Sequence, residues 1–145
     1  MSIFQAGLLR DRAALVTGGG SGIGAAIALA LASQGAKVAL MGRSEAKLAA
    51  QKAAIEAAGG TALVCPADVR NYDAVASQMV AIESAFGRLD IVCANAGIAP
   101  TAFREVSIEE DLDMWTAVID VNLVGSFHTT KAAIPHLIAG GRGGA

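Results

Sequence analysis

Thr17 to Gly24 reads TGGGSGIG, the stretch whose residue types and spacing are best suited to hold a ligand. Glycines at Gly18, Gly22 and Gly24 let a backbone turn tightly and bring its N–H groups close to phosphate oxygens. The run follows a short apolar segment, Ala13 to Thr17, and opens a segment of helical period. Strand, glycine turn and helix N-terminus, in that order, form the pyrophosphate cradle of a dinucleotide site, with the phosphates at the positive end of the helix dipole. No Gly-Lys-Ser/Thr closes the run, so it is not the loop that grips a nucleoside triphosphate. About 20 residues further on, a carboxylate would accept the ribose 2′-hydroxyl of NAD. The chain instead has Met41, Gly42 and Arg43 there. A guanidinium where a carboxylate would stand points to the 2′-phosphate of NADP, with NAD the less favoured cofactor.

Asn122 is the second candidate. It continues a helical stripe through Leu112, Trp115 and Ile119 that leads on to Ser126, so its amide is expected to be buried and to face a polar site. The soft metal ligands do not assemble into a site on paper. Cys65 and Cys93 end apolar runs and form no CxxC, and His128 and His136 stand eight apart, which matches no zinc spacing. Buried free thiols and no bound metal are the expectation.

These groups need a scaffold, and the chain supplies it in a regular rhythm. Four apolar runs, Ala13 to Thr17, Lys37 to Met41, Thr61 to Cys65 and Leu89 to Cys93, alternate with longer segments of helical period. That pattern predicts parallel strands joined by crossover helices. The runs are continuously apolar rather than alternating, so both sheet faces are covered, as in a doubly wound α/β fold. The helical stripes are Ile23, Ile27 and Leu31; Leu48 and Ile55; and Val75, Met79, Ile82 and Phe86. Each is expected to lie on the sheet. Gly35, Gly59 and Gly87 suit helix C-termini, and Ser44, Asn71 and Ser107 suit N-caps, Ser107 with Glu110 as a capping box. One last helix is expected from after Ser107 to about Ala139, apolar nearly all round between Ala117 and Phe127 and therefore buried on several sides. The glycine-rich residues from Gly140 to Ala145 should lead into a fifth strand.

The 145 residues amount to one domain. Eleven basic against 13 acidic side chains, without a dense basic run, leave no footprint for nucleic acid or an anionic membrane. No charge occurs from Ala13 through Ala36, but the glycine loop at the centre of that stretch would leave its backbone unsatisfied in lipid, which excludes a span. The first basic side chain is Arg10 and no leader pattern precedes it, so a cytoplasmic protein with a small-molecule ligand is expected.

Four features in order now carry a resemblance: TGGGSGIG, the pair Asp68-Val69 after the third apolar run, NAG at Asn95 to Gly97 after the fourth, and Asn122 within VNLVGSF. Together they resemble the short-chain dehydrogenase/reductase family in its NADP-preferring form, over essentially the whole chain but only the front portion of the family's domain. The resemblance implies a Rossmann fold, a doubly wound parallel sheet cut off after the fourth strand and its following helix. Residues 1–145 would be the dinucleotide-binding part. Gly18, Ser21, Gly22, Ile23 and Gly24 would hold the pyrophosphate, and Arg43 with Ser44 the 2′-phosphate. Asp68 and Val69 would hold the adenine. Asn95, Ala96 and Gly97 would floor the ribose, with Asn95 also tying strands together. Asn122 would match the family's active-site Asn, which holds a water in a proton relay and bends its helix. Ser21 departs from the basic residue that many NADP-using members carry just before the second glycine, so NADP rests mainly on Arg43.

The implied reaction is hydride transfer between a nicotinamide cofactor and a carbonyl or alcohol. It needs a Tyr with a Lys four positions on, and a Ser. The only Tyr is Tyr72, and four positions on stands Ala76. The main catalytic residues are therefore expected beyond Ala145, and the 145 residues alone are expected to be inactive. A naturally short nucleotide-binding or scaffold protein without redox activity is the competing class, and an extended epimerase-type relative is disfavoured by the TGxxxGIG spacing and the NAG segment. A homo-oligomer, dimer or tetramer, is expected through the apolar helix.

Overall fold

The computed structural model describes residues 7–99 and 112–140. Four parallel strands, β1 (Ala13–Thr17), β2 (Lys37–Gly42), β3 (Thr61–Pro66) and β4 (Ile91–Cys93), form one sheet in the order β3-β2-β1-β4. The register sets Leu15 beside Ala39 and Val92, and Thr17 beside Met41, so the carboxyl ends of the strands finish together along one edge of the sheet. The chain crosses from the β3 side to the β4 side next to β1, and a crevice opens at such a reversal.

Both faces of the sheet are covered. Leu15, Met41, Val75, Met79, Ile82 and Leu89 form one core, and Val16, Val38, Leu40, Leu48 and Ile55 form the other. The second helix, α2 (Glu45–Ala57), packs by Leu48 and Ile55, and the third, α3 (Tyr72–Phe86), by Val75, Met79 and Ile82, as their stripes predict. Asn71 Oδ1 caps α3 by accepting from the Ala74 N–H at 3.1 Å. Gly87 ends that helix at φ 78°, its N–H donating to Glu83 O at 2.7 Å. Ser44 precedes α2, but its side chain makes no capping bond.

The first helix, α1 (Gly22–Ser33), departs from expectation. It lies on the sheet through Gly24, Ala28 and Ala32, while Ile23 is 75% exposed and Ile27 and Leu31 pack only at the margin. A stripe of the smallest side chains lets the helix approach the strands and the glycine loop closely. A stripe of isoleucines and leucine would hold it off.

The single long helix expected at the C-terminal side is three pieces: α4 (Leu112–Ile119), a π-helical segment Asp120–Val124, and α5 (Gly125–Ala139). Hydroxyls divert carbonyls on either side of the joint. Ser126 Oγ donates to Asn122 O at 2.7 Å, Thr129 Oγ1 to Gly125 O and Thr130 Oγ1 to Ser126 O, each at 2.8 Å. Burial on several sides is not observed either. Val121, Gly125, Thr129, Ala132 and Ala133 are buried, but Leu123 and Phe127 are 63% and 60% exposed, because α3 and the sheet cover only one side of the helix. The expected capping box of Ser107 and Glu110, and the loop beyond Gly140, lie outside the described residues. Among the described residues no helix is long and apolar enough to cross a membrane.

Candidate nucleotide site

The glycine loop leaves β1 at the carboxyl edge of the sheet. Gly18 has φ 69°, and a Cβ there would stand 3.0 Å from Asn95 Nδ2 and 3.2 Å from Ala96 Cα. A Cβ on Gly24 would stand 2.2 Å from Gly18 O, so helix and loop touch backbone to backbone. The Gly19 N–H donates to Met41 O at 3.2 Å and pins the loop to the end of β2. Ser21 is the N-cap residue of α1, yet its side chain makes no capping bond, which leaves the helix's first N–H groups uncapped at the loop. A loop that excludes side chains in front of uncapped donors fits a pyrophosphate.

The neighbouring wall is tied to the loop by side chains. Thr17 Oγ1 accepts from the Asn95 and Ala96 N–H groups at 3.0 and 2.9 Å, while Asn95 Nδ2 donates to Thr17 O at 3.0 Å. Asn95 thus joins the ends of β1 and β4 and lies behind the loop rather than on the cleft.

The cleft itself has a volume of about 410 Å³. Of the residues expected from sequence, Gly18, Ser21, Arg43, Ser44, Asp68, Val69, Ala96 and Gly97 line it; Gly22, Ile23, Gly24, Asn95 and Asn122 do not. Arg43 is exposed and makes no hydrogen bond or ion pair among the described residues. Asp68 is engaged: Arg70 Nε lies 3.0 Å from both of its oxygens, and Arg70 Nη2 lies 2.6 Å from Oδ2. The hydrogen bonds from Arg70 hold the Asp68 carboxyl below its ordinary value against the opposing effect of burial. The Val69 side chain rests on the start of α5, where a Cβ on Gly125 would stand 2.5 Å from Val69 Cγ2, and its carbonyl lies 3.0 Å from His128 Nδ1.

Asn122 is exposed, not buried, but its amide is partnered on both sides. Its Oδ1 accepts from the Ile98 N–H at 2.8 Å and its Nδ2 donates to Ile98 O at 3.0 Å. It sits in the π-helical segment, next to Gly97, and clamps the strand-end segment after β4 to that stretch of the helix.

Tyr72 stands away from the cleft, at the start of α3, under Lys131 Nζ at 5.2 Å and edge-on to His128. Cys65 is buried and Cys93 half-buried; burial pushes the Cys65 thiol up to about 12 and raises that of Cys93. Among the described residues no three His, Cys, Asp or Glu side chains are grouped to hold a metal. Sequence reasoning missed Lys47, Ile98 and Val121 on the cleft wall. Lys47 is distant from the loop in sequence and is brought beside it only by folding, and Ile98 and Val121 carry no chemical signature.

The profile of the short chain dehydrogenase family matches residues 12–145. The chain belongs to that family. Among its relatives, an uncharacterized oxidoreductase of Staphylococcus aureus is 40% identical over 131 residues, 90% of this chain and 54% of the relative. The (-)-trans-carveol dehydrogenase of Rhodococcus erythropolis is 37% identical over 149 residues, 94% of this chain and 53% of the relative. A metagenomic short-chain oxidoreductase solved in complex with NADP superposes with a TM-score of 0.83 at 38% identity, covering 93% of this chain and 60% of that one. The carveol dehydrogenase of Mycobacterium avium, solved in complex with NAD, gives 0.85 at 32% identity, covering 96% and 54%. The chain therefore spans about half the length of the short-chain dehydrogenases that it matches.

Proposed function

We propose that the complete polypeptide is an NADP(H)-dependent short-chain reductase interconverting a carbonyl and an alcohol on a small-molecule substrate, and that these 145 residues are its dinucleotide-binding front. The observation that carries this reading is one cleft with the glycine cradle on one wall and, on another, Gly42 and Arg43 at the end of β2, where an NAD site would carry a carboxylate. Solved relatives have been captured with NADP and with NAD, so the choice between them falls to Gly42 and Arg43. Bound in the cleft, the cofactor supplies or accepts a hydride.

The roles of this chain's residues follow from position. The backbone from Gly18 to Gly24 takes the pyrophosphate, Asp68 and Val69 the adenine, and Ala96 and Gly97 the ribose. Asn95 holds the floor to β1, and Asn122 fixes the segment after β4 as part of the proton relay. Arg70 makes four hydrogen bonds to the Asp68 carboxylate, two on each oxygen, so the adenine amino group would have to share or displace one of them. The proton donor and its Lys partner lie outside these residues on this reading, so the 145-residue chain alone turns over no carbonyl substrate. The protein acts in the cytoplasm and assembles as a homo-oligomer.

Titration of both cofactors into the wild-type polypeptide and Arg43→Ala, followed by fluorescence, tests the cofactor assignment. A guanidinium on a 2′-phosphate is worth about 1.5 to 3 kcal/mol, so NADPH binding should weaken about 10- to 100-fold while NADH binding holds. Adding Gly42→Asp should turn the preference toward NADH. Equal wild-type affinity for the two cofactors, or no selective loss in Arg43→Ala, would overturn it.

A further inference from the structure

The glycine loop contains no cation of its own, so the charge facing a phosphate there must come from elsewhere. Lys47 and Arg43 line the same cleft as Gly20 and Ser21. Gly20 packs directly against the base of the lysine: a Cβ there would stand 3.1 Å from Lys47 Cβ and 3.2 Å from Leu48 N. The first turn of α2 is thus seated on the loop, and the Lys47 stem leaves from beside it.

Two further observations set this lysine apart. Lys52, on the same helix, is 3.7 Å from Glu56, and Asp68 across the cleft is taken by Arg70, whereas Lys47 has no carboxylate partner among the described residues. Lys47 is also the third residue of α2, where the positive end of the helix dipole disfavours a cation. Glu45, in the same turn, does not line the cleft. A lysine placed against the helix dipole and left without a partner at a cleft wall is best accounted for by an anion that binds there.

We infer that Lys47 is a second cation for the 2′-phosphate, reaching the phosphate from α2 while Arg43 reaches it from the end of β2. The inference rests on the NADP reading and deepens it. A phosphate monoester is close to a dianion near neutral pH, and two cations on independent stems hold such a group better than one. Lys47 is therefore a specificity-determining residue for the cofactor.

The experiment uses the complete polypeptide and four probes: NADPH, NADH, 2′,5′-ADP and 5′-AMP. Lys47→Gln should weaken NADPH and 2′,5′-ADP about 5- to 30-fold and change NADH and 5′-AMP by less than about twofold. Lys47→Arg should restore most of the loss, and the salt dependence of NADPH binding should become shallower in Lys47→Gln. The unliganded Lys47→Gln protein should melt no lower than wild type, since its charge opposed the helix dipole. Unchanged NADPH binding in Lys47→Gln, beside a selective loss in Arg43→Ala, would overturn the assignment of Lys47 and leave the NADP reading standing. An equal loss for all four probes would overturn it as a structural effect. Wild-type protein that binds NADH as tightly as NADPH would remove the NADP reading and this inference together.

Discussion

Asp90 shows how much one buried side chain can organise at a sheet edge. Its carboxylate is 3% exposed and collects Arg12 Nη1 at 3.0 Å, Arg88 Nε at 2.6 Å, Arg88 Nη2 and the Ala13 N–H at 2.9 Å, while the Asp90 N–H donates to Ala13 O. Burial works to raise its pKa, but the Arg88, Ala13 and Arg12 donors together outweigh burial and hold it well below the usual carboxylate range. A folded-state pKa depressed in this way contributes stability that is present above the unfolded value of about 3.9 and is lost as pH falls below it. Asp90→Asn removes the charge and leaves two guanidinium groups facing a neutral amide, which should cost about 2 to 4 kcal/mol at pH 7. Urea melts at pH 7 and below pH 4 check this: wild type should lose stability on acidification, and the variant should lose distinctly less. Parallel acid curves for the two proteins would show that Asp90 does not carry the effect.

At the scale of elements, the contact that positions the cleft floor is between the segment after β3 and the start of α5. Gly125 follows the π-helical segment immediately, and the missing side chain there is where Val69 sits. Gly125→Ala would drive a methyl into Val69 Cγ2 and should cost about 1 to 3 kcal/mol, the range for overpacking a filled contact. Val69→Ala in the same chain should recover much of that loss, so a double-mutant cycle should give a coupling above about 0.5 kcal/mol. Additive effects would mean that helix and segment adjust independently. Within the π-helical segment the Asn122 carbonyl is taken by the Ser126 hydroxyl, and Thr129 and Thr130 make the same kind of bond in the first turns of α5. The sequence displayed those hydroxyls, but periodicity averages over single hydrogen bonds and so predicts one straight helix.

At the scale of the molecule, α4, the π-helical segment and α5 present Trp115, Leu123, Phe127, Ile134 and Ile138 to solvent along with one well-packed face. An apolar surface of this extent favours association, and a two-fold pairing of the same surface is its simplest closed form. Sedimentation velocity of the complete polypeptide at micromolar concentration should show a dimer or tetramer, and Leu123→Glu with Phe127→Glu should shift it toward monomer. A wild-type monomer would contradict the expected homo-oligomer. Of these, Leu123 and Phe127 belong to the stretch from Ala117 to Phe127 whose composition predicts burial on several sides. Their composition implied burial but not what would cover them, because hydrophobicity has no direction.

Strand position and order along the chain were readable because a strand buried on both faces has to be continuously apolar: β1 matches its apolar run residue for residue, and β2 and β3 differ only by adding Gly42 and Pro66, whereas the half-buried β4 keeps only Ile91–Cys93 of the run from Leu89. The glycine loop was readable because its backbone conformation admits few other residues, and Arg43 because it stands at a fixed distance beyond that loop. Three matters depended on tertiary structure. Which stripe of α1 meets the sheet was decided by Gly18 and Gly24 touching backbone to backbone, a contact that favours the smallest side chains over the most apolar ones. Whether Asn122 is buried was decided by where Ile98 crosses the π-helical segment, and the amide found its partners at the surface. Lys47 came to the cleft only because α2 folds back onto Gly20, more than 20 residues earlier in the chain; local pattern carries no information about a distance that only packing sets.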